Sequence, residues 1–258
     1  MKKVFSLGLI VLFAALVSCD LEEYEVRCFP TRVISKINAG ASSYTLTADY
    51  KYDGEQVDHI IISTGQTHYF DYSDEGELEM VRKIDVRTKQ KEELRLLYEG
   101  EQLVRIDEYV MNLNPLTHED RDTSYVRYHL FEYDGKRISM ETIYARDKES
   151  GEFVLVTRND FSYDNRGNLV EYSTTDVRSQ ATTTYSFEYD AYNNPFQELE
   201  LYFTGESYVN NILHKEEVTG NTEYTYQVRY NDDKYPDQII EKQGGVISQV
   251  INFEYFCK

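Results

Sequence analysis

The stretch "FSYDNRGNLVEYS" (residues 161–173) decides the fold of this chain, because the same phrase recurs along the sequence with altered spelling. Earlier relatives are "YKYDGEQVDHI" (50–60), "YFDYSDEGELEMV" (69–81), "LRLLYEGEQLVRI" (94–106) and "LFEYDGKRISM" (130–140). Later ones are "FEYDAYNNPFQEL" (187–199), "VRYNDDKYPDQII" (228–240) and a half copy, "INFEYF" (251–256). Each runs from an apolar or aromatic residue to a Tyr, then an acid or amide, a short polar segment usually holding Gly or Asn, and an apolar run.

Before the Tyr the alternation has period two. In "YSFEYD", Tyr185, Phe187 and Tyr189 share one face while Ser186, Glu188 and Asp190 share the other, the signature of a half-buried strand. "YTYQVRY" sets Tyr224, Tyr226, Val228 and Tyr230 against Thr225, Gln227 and Arg229 in the same way. Segments such as "DNRGN", "DG" and "NDD" supply residues that tolerate positive φ and form side-chain turns, the chemistry of hairpin connections. Each copy therefore reads as strand, tight turn, strand.

The anchoring residues Tyr52, Tyr72, Tyr98, Tyr133, Tyr163, Tyr189, Tyr230 and Tyr255 are spaced 20 to 41 residues apart, room for two strands and a second, variable connection. We expect the longer connections at 112–124, 204–211 and 215–222, gathered at one end of the sheet as a contact surface, with the short uniform turns at the other. "TKQKEELRLL" (88–97) is the best helical candidate, but its second half belongs to the strand before a turn. The repeats predict one all-β domain, an antiparallel meander of repeated hairpins with about 14 to 16 strands. So many strands must curl into a barrel-like sheet, split or close. The outward alternates are Glu, Arg, Thr and Asp, which argues for a soluble barrel-like sheet with an apolar interior and against a membrane-spanning one.

The phrase resembles the YD repeats of Rhs-type proteins, matched best by Tyr163, Asp164, Gly167 and Leu169, with Asn and Asp standing in for Gly after Tyr189 and Tyr230. As a whole the chain more closely resembles uncharacterised Bacteroidota lipoproteins with a porin-like, barrel-like meander. That resemblance implies the fold and brings no catalytic residues with it.

The N-terminus reads as an address. Lys2 and Lys3 precede an apolar run (4–17) too short to span a bilayer, and Leu16-Val17-Ser18-Cys19 resembles a bacterial lipobox. The resemblance implies a signal peptide over 1–18, cleavage before Cys19 and lipid on its thiol. The next residues, "DLEEYE", begin an acidic tether (19–27), similar to the run that accompanies surface export in several Bacteroidota lipoproteins. It implies an outer-membrane lipoprotein facing outward. In enterobacteria an Asp directly after the Cys implies inner-membrane retention, so the periplasmic face stays as the alternative. The repeat-built domain then spans 28–258.

With Cys19 assigned to lipid, Cys28 and Cys257 remain as a candidate disulfide in an oxidising compartment. The other arrangement is two buried thiols. A bridge would bring the strand near "VRCFPTRVISKI" against the final "INFEYFC" and favour a sheet whose ends meet. A net charge of −19, from 46 acids against 27 Lys and Arg, argues against nucleic acid and against flat adsorption on anionic lipid. Membrane contact is expected through the N-terminal lipid alone.

Twenty-four Tyr and no Trp invite a carbohydrate-stacking reading, but most tyrosines fall at one repeat position and read as strand packing. Those off the register, Tyr144, Tyr192, Tyr202 and Tyr208, are the ligand-surface candidates, joined by His118, Asp120 and Asp122 of "HEDRD". Asp160, Ser162, Asp164 and Glu171 mimic a calcium-loop spacing, yet Asn165 stands where Gly is needed and the flanks alternate as strands. His59, His68, His118, His129 and His214 show no metal-ligand spacing, and no nucleophile elbow, phosphate loop or dinucleotide phrase occurs. No metal or cofactor is expected. The first reading is a non-catalytic envelope module that binds a glycan or protein or scaffolds an assembly. A glycan hydrolase using a carboxylate pair on neighbouring strands and an Rhs-like shell unit are the alternatives.

Overall fold

The computed structural model describes residues 26–39, 42–113, 120–196 and 209–258. The expected lipidation site Cys19, the signal peptide, and the candidates His118, Tyr202 and Tyr208 lie outside them. Among the described residues all the elements are strands: β1 (Cys28–Ala39), β2 (Ser42–Asp53), β3 (Gln56–Ile62), β4 (Gln66–Tyr72), β5 (Leu78–Asp85), β6 (Gln90–Glu99), β7 (Gln102–Leu113) and β8 (Asp120–Asp134). The second half continues with β9 (Arg137–Arg146), β10 (Phe153–Tyr163), β11 (Leu169–Asp176), β12 (Ala181–Asn193), β13 (Asn210–Glu217), β14 (Thr222–Tyr230), β15 (Pro236–Gln243) and β16 (Val246–Cys257). Each pairs antiparallel with its neighbour in sequence, and β1 pairs with β16, so the meander closes into a barrel. The ambiguous segment 88–97 is a turn leading into β6.

Every Tyr-centred unit has the same register. Tyr52 faces Val57, Tyr72 faces Leu78, Tyr98 faces Leu103, Tyr133 faces Ile138 and Tyr163 faces Leu169; in each case the next pair skips one residue of the second strand. Tyr189 and Ile212, and Tyr230 and Pro236, repeat this bulge. Such a bulge bends the strand and increases its twist, and repeated around the circumference it supplies the curvature that closes the sheet. The half copy at the C-terminus is completed by the first strand: Tyr255 faces Pro30, and Glu254 faces Arg32 with Thr31 skipped. The eighth unit is thus made from the two ends of the chain. Where the other units have a turn, this one has Cys28 opposite Cys257, with the sulfurs 2.04 Å apart and a sequence separation of 229.

In "FSYDNRGNLVEYS" the Asp164 carboxylate accepts the backbone N–H groups of Arg166, Gly167 and Asn168. Burial alone would raise its pKa, but these donors and the Asn168 side chain together hold it below the ordinary carboxylate value. Ser73 and Asn231 do the same for their own turns. At the opposite end Asp85, Asp147 and Asp176 each accept amides two or three residues on. These are Asx turns. With Asp164 committed to amides and Asp160 paired with Arg158 at 2.7 Å, the calcium-like spacing is accounted for by turn and surface chemistry.

One face of the sheet carries the buried side chains. Val57, Ile60, Phe70, Leu78, Val81, Leu96, Leu103 and Ile106 form one cluster, and Ile138, Phe161, Leu169 and Phe187 a second, with Phe131 touching both. This is the interior. Tyr185, Phe187 and Tyr189 lie on it together, as their alternation predicts. The other face carries ion pairs between neighbouring residues of the sheet, Arg32 with Asp49, Arg82 with Asp71 and Arg229 with Asp237.

Two expectations about loops need correction. Residues 215–222 are no long loop but a four-residue turn (218–221) between strands, since β13 runs to Glu217 and β14 begins at Thr222. The long β12–β13 connection also joins the sheet at the tyrosine end, among the short turns, because strand parity in a meander places it there. The two ends therefore do not divide into one short and one long set.

Candidate functional site

The repeated tyrosines form a ring at one mouth of the barrel. Between units the ladder stops three residues before the Tyr, at pairs such as Arg32 with Asp49, His59 with Tyr69 and Met80 with Arg95. Beyond that point the strands splay, and the phenol bridges the wedge. Tyr52 donates to the Pro30 carbonyl, Tyr72 to Val57, Tyr98 to Leu78, Tyr133 to Leu103, Tyr189 to Leu169 and Tyr255 to Pro236, at 2.6 to 3.2 Å. Each acceptor is the residue facing the previous unit's Tyr, so the hydroxyls connect unit to unit around the mouth, across the Pro30 seam included. Burial raises the pKa of Tyr52 and Tyr255, which keeps these hydroxyls protonated as donors. Tyr230 departs from the pattern and donates to Asp190, which also holds Asn211. Tyr163 departs too, and makes no such bond.

A cavity of about 670 Å³ opens at this mouth. Its floor includes Tyr52, Tyr72 and Tyr98, its wall Cys28 and Pro30, and its lip Glu55, Gln56, Glu77 and Glu101 in and beside the turns. Glu55 is held by Arg27 and Lys258, each at 3.0 Å. Asn193 at the end of β12 and Asn194 and Pro195 of the β12–β13 connection line it, and Phe196 reaches across the interior to rest between Tyr50 and Phe253, with ring centroids 5.8 and 5.7 Å away. The base of this connection is fixed by buried amides: Asn168 Nδ2 donates to Asn210 Oδ1, and Asn210 N–H donates back to Asn168 Oδ1.

Deeper inside, His129 sits between two carboxylates, 2.7 Å from Glu141 and 3.8 Å from Glu108. Asn159 donates to the second oxygen of Glu141 at 2.6 Å, and Arg127 stands 3.8 Å from Glu108. Burial alone would lower the His129 pKa, but Glu108 and Glu141 outweigh it and push it up to about 9. Glu108 is correspondingly held low by the His129 cation 3.8 Å away. Sequence spacing carries no trace of this cluster, whose members come from β7, β8, β9 and β10.

The candidates named from sequence do not converge. Tyr144 lies on the outer face of β9, stacked on Tyr128 with centroids 4.7 Å apart, beside Tyr125 and Phe153. Tyr192 lies at the tyrosine mouth, 4.5 Å from the Tyr230 ring. Asp120 and Asp122 begin β8 at the opposite end, Asp122 at φ 48°. The mouth residues were legible as repeat positions, but not as a cavity lining.

Geometry of this kind defines a class, a closed sixteen-strand meander built of eight like units. No family model matches the sequence, nor does any curated protein. Among solved structures it is similar to a porin-like protein from Bacteroides uniformis ATCC 8492, with TM-score 0.56 and 11% identity, over 88% of this chain and 96% of that one. A porin-like protein from Bacteroides vulgatus ATCC 8482 is similar at TM-score 0.54 and 13% identity, over 88% of this chain and 98% of that one. At such identities the likeness concerns the fold.

Proposed function

We propose that this chain is a lipid-anchored envelope protein of the outer membrane, facing outward, whose barrel is a non-catalytic module that binds a neutral glycan at its tyrosine-ringed mouth. The observation that carries the reading is the cavity of about 670 Å³ with phenol rings below and carboxylate and amide groups at its lip. Aromatic rings accept the apolar face of a sugar, while carboxylates and amides accept and donate to its hydroxyls. The acidic lip disfavours anionic ligands. Since the outer face holds Arg32–Asp49 and Arg82–Asp71 pairs, a bilayer-crossing barrel would have to turn charged side chains toward lipid, which is unfavourable. An anchor at Cys19 agrees with that.

The carboxylates inside the barrel do not favour hydrolysis. A glycosidic acid needs a raised pKa, whereas Glu108 is held low against His129. Calorimetry with a panel of neutral oligosaccharides tests the reading: saturable binding without product, weakened in Glu77→Gln/Glu101→Gln, is expected. Product formation abolished by one Asp or Glu substitution would establish the hydrolase instead. Intact-mass measurement of the membrane-extracted chain checks the anchor, with an unlipidated Cys19 as the refuting result. Protease shaving of whole cells separates the outward face from the periplasmic one.

A further inference from the structure

The ring of phenol-to-carbonyl bonds is interrupted twice: Tyr230 turns to Asp190 instead, and Tyr163 makes no bond of this kind. By the register its hydroxyl should reach the Ile138 carbonyl, since Ile138 faces Tyr133 and the β9–β10 ladder ends at Asp160 with Met140, three residues before Tyr163. Six other units close this wedge with a phenol-to-carbonyl bond. Here the wedge stays open, and a cavity of about 420 Å³ occupies it, lined by Lys136, Arg137, Ile138, Phe161, Ser162 and Tyr163 among others.

The lining differs in sign from the rest of the molecule. Two cations, Lys136 and Arg137, meet one acid, Asp134, in a chain of net charge −19. Arg137 is positioned: one terminal nitrogen donates to the Asp164 carbonyl at 2.6 Å, and the guanidinium lies over the Tyr163 ring, 5.6 Å from its centroid. Gly167 leaves room for it, since a Cβ there would stand 3.3 Å from the other terminal nitrogen, at a φ of +103° that already favours glycine. The remaining guanidinium N–H groups suit a carboxylate, which they bind in a fixed planar geometry. Around them the Tyr163 and Ser162 hydroxyls and the Ile138 carbonyl offer partners for hydroxyl groups, and Phe161 and Tyr163 offer ring surface.

We infer that the β9–β10 wedge is a second binding site, separate from the mouth cavity, for a small hydroxylated carboxylate such as a sugar acid of hexuronate size. The ligand's carboxylate sits on Arg137, and its hydroxyls take the Tyr163 hydroxyl and the Ile138 carbonyl that elsewhere bond each other.

Calorimetry with D-glucuronate and D-galacturonate on the whole mature chain tests this, with D-glucose as the uncharged control. Saturable binding of a hexuronate, tighter than glucose, is expected; Arg137→Met should weaken it about tenfold and Tyr163→Phe a few-fold, while Glu77→Gln at the mouth leaves it unchanged. Because Tyr163 makes no ring bond, Tyr163→Phe should also leave the urea midpoint where it is, whereas Tyr98→Phe lowers it. No saturable hexuronate binding, equal binding by Arg137→Met, or a midpoint loss in Tyr163→Phe matching that of Tyr98→Phe would overturn the inference. Failure here leaves neutral-glycan binding at the mouth standing, and failure there leaves this site standing.

Discussion

His129 is a half-buried cation, and its ionisation should be visible as a pH dependence of folding. Its side chain, 19% exposed, is flanked by Glu141 at 2.7 Å and Glu108 at 3.8 Å, and is pushed up from 6.5 to about 9. The raised value means that the folded state holds the proton more tightly than the unfolded one. The associated stability is fully present below about pH 6.5 and is lost as pH rises through about 9. At 1.36 kcal/mol per pH unit the gap corresponds to about 3 kcal/mol. Urea unfolding of wild type and His129→Gln at about pH 6, 8 and 10 reads it directly. Glutamine keeps a donor to Glu141 without the charge, so the difference between the two proteins isolates ionisation from packing. The difference should shrink by about 3 kcal/mol between the lowest and highest pH. Parallel pH profiles would refute the reasoning, since they would mean that His129 is neutral in the folded barrel or equally charged when unfolded.

The tyrosine ring predicts that Tyr52→Phe, Tyr98→Phe and Tyr189→Phe each lose about 1 kcal/mol by urea unfolding, the net worth of one hydrogen bond; no loss at any of the three would show that the phenols do not bridge the units. Reducing Cys28–Cys257, or the double Ser variant, should lower the free energy of unfolding by no more than about 5 kcal/mol, the chain-entropy value for a loop closed at a sequence separation of 229. Thiol titration of the native protein that finds free Cys28 and Cys257 would overturn the bridge. Asp164→Ala should cost about 1–2 kcal/mol, because three amides lose their acceptor. Its contribution in the wild type is present above the ordinary carboxylate pKa and is lost as pH falls through the lowered value, so an Asp164→Ala profile flatter than wild type in acid is the confirming result.

Much of this architecture was readable residue by residue. Tyr185, Phe187 and Tyr189 declare a strand and its buried face, and "DNRGN" declares a turn whose Asp organises it. Less obvious signals were present too: "DVRT" (85–88) and "DVRS" (176–179) spell the same opposite-end turn, with Asp85 and Asp176 as acceptors. The candidate site fared differently. Tyr144 and Tyr192 stood out for being off the register, yet the register tyrosines are the ones that line the mouth. The difference has a physical cause. A phenol ring can pack in the sheet and floor a cavity at once when the sheet is closed.

The sequence by itself determined what depends on neighbours within about a dozen residues: the two-residue alternation of the strands, the Asx and glycine turns, and the number of units, because these follow from backbone sterics and local hydrogen bonds. Only the tertiary structure decided what depends on residues brought together from afar. The closure of Tyr255 against Pro30, the seating of Phe196 between Tyr50 and Phe253, the His129 cluster and the open wedge at Tyr163 are of this kind. Each is set by how the repeated bulges accumulate curvature around the whole circumference, and no single stretch, "FSYDNRGNLVEYS" included, carries that sum.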